Sequence, residues 1–344
     1  MRARRALYAR LLVSLALIGL LLRSIDVRSA FQPIPQFGWV YVAVMALLTN
    51  ADRVLMSYKW NLLLRARRIE IPFATVVRGY YVGTLWGLFL PTAVGGDLVR
   101  SFAVRGQGRR AEDVVASVVL ERILGLTSGL WLGIFAASLL PPLIDDPHEN
   151  LITAMLVIPL IVVVALIMLS FSSVPTRWLS GSIPFVPKGV LDKLREVYES
   201  YQLYGRDRRL MVRFFLWSLV EQCIPVLCVF LVSLALNTRA RFIDCVVFVP
   251  IIMIPARMPL SLDGFGIRES LYVYFFAFVG MPAAAALRLG FVSHVLGLLS
   301  MLPGFLYFSA HSPAVVEPSL TAPSGDPQPR ISRRRLWSRT SGTG

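Results

Sequence analysis

A chain of 344 residues that is 56% hydrophobic and only 16% charged, with a mean hydropathy of +0.65, is too apolar for a soluble globular protein and reads as an all-α polytopic membrane protein. Its formal charge of +15 does not point to nucleic acid, because the basic residues lie in short blocks between apolar runs, as juxtamembrane positives do. Cys223, Cys228 and Cys245 stand in or beside apolar runs without metal-ligand spacing and read as small buried residues, so neither metal nor cofactor is expected.

Met1-Arg2-Ala3-Arg4-Arg5 and the apolar run 11–22 imitate a secretory leader. Arg28 spoils the best small-x-small cleavage site, Arg28-Ser29-Ala30, so this stretch is predicted to be an uncleaved first span. Measured against the roughly 20 helical residues that cross a bilayer, spans fall near 7–22, 38–58, 114–140, 150–171, 213–236 and 288–309. Two further apolar regions, 73–104 and 242–281, are interrupted. The N-terminus, Arg65-Ala66-Arg67-Arg68, the block 105–110, the region 177–213 and Arg333-Arg334-Arg335 all favour the cytoplasm. Both termini are therefore expected there, with the acidic loop 144–149, which carries Asp145, Asp146 and His148, opposite.

The expected organisation is a helical membrane domain over 1–312 and a disordered basic tail over 313–344. The membrane domain carries a cytoplasmic connector at 172–212, in which Val190, Leu194, Val197, Tyr198 and Tyr201 recur at helical spacing. That periodicity predicts an amphipathic helix lying on the membrane surface or against the bundle.

The first interruption reads Leu90-Pro91-Thr92-Ala93-Val94-Gly95-Gly96-Asp97-Leu98-Val99-Arg100. Pro91 stops a helix, Gly95 and Gly96 free backbone amides to turn toward a ligand, and Asp97 suits a helix cap. The limb from Asp97 to Val104 covers about 12 Å at about 1.5 Å per residue, too short to span. With basic blocks on both flanks, a re-entrant hairpin with its tip at 91–96 satisfies the pattern. The second interruption runs from Pro259 through Asp263, Gly264, Gly266 and Arg268 to Glu269 and enters from the opposite face, as a deep hairpin or as two short spans. Aligning the two on their prolines sets Gly96 against Gly264 and Arg100 against Arg268, with Asp97 and Asp263 nearby. An inverted repeat would place both breaks around a midplane site.

Charges inside apolar runs are functional candidates because they are costly in lipid. Arg100 and Arg268 follow helix breaks, where a guanidinium and free amides suit a phosphate. The other reading pairs them internally with Asp97 or Glu269. Glu121 and Arg122 are adjacent on a helix and point about 100° apart, so they are not each other's partners. Glu121 can reach Arg100 from the next span, or carry a proton. Lys59 is expected to snorkel, Glu221 to line a cavity or make a cross-helix hydrogen bond, and His294 to make a helix contact rather than bind metal.

Three blocks carry a resemblance: Leu90 to Arg100, then Ala116-Ser117-Val118-Val119-Leu120-Glu121-Arg122-Ile123-Leu124-Gly125, then Pro259 to Glu269 with its Gly-x-Gly-x-Arg-Glu ending. In this order they resemble the lysylphosphatidylglycerol synthase transmembrane (flippase-like) family over roughly 7–310. The resemblance implies an inner-membrane protein of the cell envelope, related to the lipid-translocating half of bacterial enzymes that make and flip aminoacylated phosphatidylglycerol. The aminoacyl-transfer domain of those enzymes is expected to be absent, and the family's substrate does not carry over.

The resulting expectation is a lipid transporter or flippase for an anionic phospholipid or a polyprenyl phosphate. Arg100, Arg268, Gly95, Gly96, Gly264 and Gly266 would bind the headgroup. Pro91, Asp97, Glu121, Arg122, Pro259, Asp263 and Glu269 would shape the breaks or couple protons. Expected partners are membrane lipids, with a second copy or an envelope-synthesis protein besides. The alternatives are an intramembrane transferase acting on a lipid-phosphate carrier and a non-catalytic partner of an envelope-lipid synthesis enzyme.

Overall fold

The structure is a computed structural model. It describes residues 38–89, 95–104, 111–138, 149–172, 188–238, 240–256 and 264–304, with the single positions 12, 19, 35, 261 and 306. Most of the expected first span, the tip of the first break with Pro91, then Pro259, Asp263, the loop 141–148 and the tail lie outside the described residues.

Among the described residues every regular element is a helix. In chain order they are α1 (Gly38–Ala66), α2 (Phe73–Phe89), α3 (Gly95–Ala103), α4 (Ala111–Ala137) and α5 (Glu149–Ser170), then α6 (Lys188–Tyr204), α7 (Arg208–Leu236), α8 (Phe242–Ala256), α9 (Ile267–Ala277) and α10 (Ala283–Ser300). Four stretches are long and apolar enough to cross a bilayer: Gly38–Ala66, Ala111–Phe135, Arg208–Leu236 and Ala283–Gly304. Large apolar side chains on them, among them Leu47, Trp131, Phe135 and Leu216, are exposed. Those exposures suit a hydrocarbon solvent and not water.

Local chemistry sets the ends. Arg68 adopts φ +56° just after α1, and Ile69 N–H closes the turn on Leu64 O at 3.0 Å. Asp207 caps α7 by accepting from Leu210 N–H at 3.0 Å. Asn237, at φ +55°, ends the same helix while Thr238 N–H returns to Ser233 O.

The largest apolar core joins α1, α7, α8, α9 and α10 around Phe248, Tyr272, Phe275 and Phe276. A second lies under α1, α2 and α4, built on Trp60, Val76, Tyr80 and Val118, and a third joins α1, α4, α6 and α7 through Leu63, Leu120, Tyr204 and Phe214. Cross-helix polar contacts supplement the packing, as they must where helices gain little by leaving lipid. Asn50 donates to Ser300 O at 2.8 Å and accepts from the Tyr81 hydroxyl at 2.6 Å, tying α1, α2 and α10.

Two expectations need revision or choice. The amphipathic helix, α6, packs its C-terminal half against the bundle through Tyr201 and Tyr204 while Val190 and Leu194 stay exposed. Burial raises the Tyr204 hydroxyl above its ordinary range, only partly offset by Arg67, so it stays neutral and donates to Leu63 O. Arg67 itself is held by Asp113 at 3.0 Å, and Asp113 also accepts from Ser200, which fixes the ends of α1, α4 and α6 together. Cys223 is exposed rather than buried, because its position on α7 faces away from the cores that hold Cys228 and Cys245.

Candidate functional site: a charge network beneath the first helix break

The short helix α3 exists because two glycines allow it to lie against α2. A Cβ on Gly83 would meet Gly96 O at 2.7 Å and Arg100 Cβ at 3.0 Å, and one on Gly96 would collide with Gly83 O and meet Gly87 Cα at 3.2 Å. The helices therefore fold back on each other at backbone distance. Gly96 is engaged in this packing and partly exposed, and Gly95 is buried. The close approach carries Arg100, 3% exposed, into the interior between α1, α2 and α4.

Arg100 lies between two aromatic rings, with its guanidinium carbon 4.7 Å from the Trp60 ring centroid and 4.4 Å from that of Tyr80. Two carboxylates face it. Asp97 Oδ1, one helical turn earlier, is 3.0 Å from Nη2, and Glu121 Oε2 of α4 is 2.9 Å from Nη1. The Glu121 contact has ion-pair distance without hydrogen-bond alignment: among the described residues Arg100 Nε, Arg100 Nη1 and Glu121 Oε2 make no hydrogen bond. Glu121 Oε1 accepts from the Tyr80 hydroxyl, and Trp60 Nε1 donates to Ser117 Oγ at 3.0 Å. Both rings are thus fixed by polar contacts of their own.

Asp97 has a second cation. Arg122, whose side chain is 59% exposed, reaches its Oδ2 at 2.8 Å through Nη2. Adjacent Glu121 and Arg122 accordingly serve different partners, as their angular separation requires. One residue before Trp60, Lys59 is 1% exposed and ion-paired to Glu221 of α7, with Nζ 4.8 Å from the Phe214 ring centroid. Lys59 does not snorkel: α7 closes its route to the interface and supplies the counter-charge. Glu221 also lies within electrostatic reach of Tyr80. Three cations (Lys59, Arg100, Arg122) thus face three carboxylates (Asp97, Glu121, Glu221), a balance expected of a network in a low-dielectric interior.

The second break is built differently. Gly264 and Gly266 adopt φ +82° and +85°, and a Cβ on Gly264 would meet Ala256 O at 2.9 Å, so glycine is needed there for the turn itself. Glu269 is 1% exposed and accepts from Gly266 N–H at 2.6 Å, while its other oxygen is 3.3 Å from His294 Nδ1 of α10. Phe265 stacks on that imidazole with ring centroids 4.0 Å apart. Glu269 therefore holds the turn and the helix contact. Arg268 is the second residue of α9 and half-buried, whereas Arg100 is the sixth of α3 and buried. Aligned on their prolines, the two arginines occupy different local structures. The principal packing of α3 is on α2 and α4, and that of α9 on α8 and α10.

Trp60 and Tyr80 are the site residues that sequence reasoning missed, and Lys59 was assigned to the interface rather than to a buried pair. Trp60 and Tyr80 read as ordinary apolar positions on their helices, and only the fold brings them to Arg100. A lysine twenty-two residues into a helix long enough to span was the one available signal for the Lys59 pair.

The fold and the buried network define a polytopic helical membrane protein with a buried ion cluster. Residues 7–304 match the family described as "Lysylphosphatidylglycerol synthase TM region", and the chain belongs to that family. It is also similar to a UPF0104 membrane protein of Pyrococcus horikoshii, at 18% identity over 87% of this chain and 96% of that protein.

Proposed function

We propose that the chain is a lipid transporter of the flippase type, and that Arg100 is the group that takes the phosphate of an anionic phospholipid or polyprenyl phosphate. One observation carries the reading: a guanidinium buried between two rings has two donors, Nε and Nη1, that make no hydrogen bond among the described residues. Such donors are costly to leave unmet, and a phosphate oxygen in place of Glu121 Oε2 would meet them. Glu121 then acts as an internal stand-in for the substrate, holding Arg100 when the site is empty and releasing it to the headgroup. Asp97 keeps its contact with Arg122 meanwhile.

In this reading α2 and α3 form a re-entrant hairpin entered from the basic, cytoplasmic side of the inner membrane. The acyl chains remain in lipid. Family membership supports a role in envelope lipids, and the buried cluster supports a polar path through the bilayer. The test is transport by the full chain in liposomes containing headgroup-labelled phosphatidylglycerol or a polyprenyl phosphate. Arg100→Lys keeps the charge and loses the planar fork. Transport should fall at least about tenfold, one good hydrogen bond's worth, with thermal unfolding little changed. Wild-type rates in folded Arg100→Lys for every lipid moved would remove Arg100 from the path.

A further inference from the structure

The N-terminal end of α7 carries a second concentration of positive charge that the buried network does not use. Arg208, Arg209 and Arg213 occupy its first turns, all exposed, and the same face continues with exposed Leu216, Trp217 and Val220. Together they line one groove of about 650 Å³. Arg209, Arg213, Leu216 and Val220 recur every three or four residues and so form a single stripe. From Arg209 to Val220 it runs about 16 Å at about 1.5 Å per residue, close to half of a hydrocarbon core about 30 Å thick.

Arg213 is positioned for a ligand. Its Nη2 donates to the Tyr58 hydroxyl of α1 at 2.5 Å, its guanidinium carbon is 6.0 Å from that ring's centroid, and Tyr58 packs edge-on against Trp217 at 5.7 Å. No carboxylate among the described residues forms an ion pair with Arg208, Arg209 or Arg213, and neighbouring Asp207 is engaged as the helix cap. Clustered arginines at the interface with an apolar wall beneath them match the chemistry of a net-negative phospholipid: phosphate above, one acyl chain below. A zwitterionic lipid brings a compensating ammonium and gains less from the same charge.

We propose that this groove is a binding site for an anionic phospholipid of the leaflet facing the basic loops, with the phosphate on Arg209 and Arg213 and a chain along Leu216, Trp217 and Val220. The site is separate from the Arg100 network and stands whether or not that network moves lipid. The experiment is retention of phosphatidylglycerol against phosphatidylcholine by the purified full chain, read by native mass spectrometry, with free glycerol 3-phosphate as competitor. Wild type should prefer phosphatidylglycerol, R209Q/R213Q should lose that preference by roughly fivefold per arginine, and glycerol 3-phosphate should not compete. L216Q/V220Q, which leaves the charge unchanged, should also weaken retention. Unchanged selectivity in folded R209Q/R213Q would overturn the proposal, as would equal retention of both lipids or displacement by glycerol 3-phosphate.

Discussion

Lys59 and Glu221 are both buried, and removing either leaves the other charge without its counter-ion. Lys59→Met should therefore cost about 3–5 kcal/mol of stability, whereas Lys59→Met with Glu221→Leu should recover most of it. Thermal unfolding in detergent for the two singles and the double checks this, and equal loss in all three would mean that the pair's shape matters and its charge does not. Arg100 follows the same logic with two carboxylates at stake, so an alanine there disturbs folding as well as binding. Part of this chemistry was legible in the sequence. The 100° between Glu121 and Arg122 already separated their partners, and the break at Gly95-Gly96 marked Arg100. The Lys59 pair was not legible because its members are 162 residues apart, and a lysine near a helix end is compatible with snorkelling until the packing of α7 on α1 is known.

At the scale of elements, the contact between α2 and α3 depends on the absence of side chains. Gly83→Val would drive a branched side chain into Gly96 O and Arg100 Cβ. Overpacking of this kind costs about 1–3 kcal/mol, and here it also displaces Arg100 from between Trp60 and Tyr80. Lowered thermal stability together with lost transport is expected, and an unchanged melting temperature would contradict the close packing. Gly264→Ala tests the other break. At φ +82° and 2.9 Å from Ala256 O, the new Cβ should destabilise by about 1–3 kcal/mol, with the core around Phe248 and Phe276 loosening first. The sequence marked both breaks through glycine and proline, yet it could not distinguish a glycine needed for φ, as at Gly264, from one needed for contact, as at Gly96. Composition is identical in the two cases and only backbone geometry separates them.

Across the described residues, the helices that can cross a bilayer expose apolar side chains outward and bury Lys59, Glu121 and Glu221 inward, and the short helix α3 adds buried Asp97 and Arg100. Hydropathy and basic blocks were enough to locate those helices, because lipid imposes both signals. The convergence of α1, α2, α3, α4 and α7 on one charge cluster follows from packing that no local pattern records. Such a cluster is either a structural ion network or a path for a charged headgroup, and the two differ in what neutralising it does. R100Q/E121Q removes one positive and one negative charge, keeps the balance, and replaces the pair by groups of similar size. A purely structural pair tolerates that exchange. A phosphate clamp does not. The decisive measurement is transport of labelled anionic lipid by R100Q/E121Q in liposomes, with folding verified by unfolding temperature. Loss of transport in the folded protein is the predicted result, and transport at the wild-type rate would contradict the account.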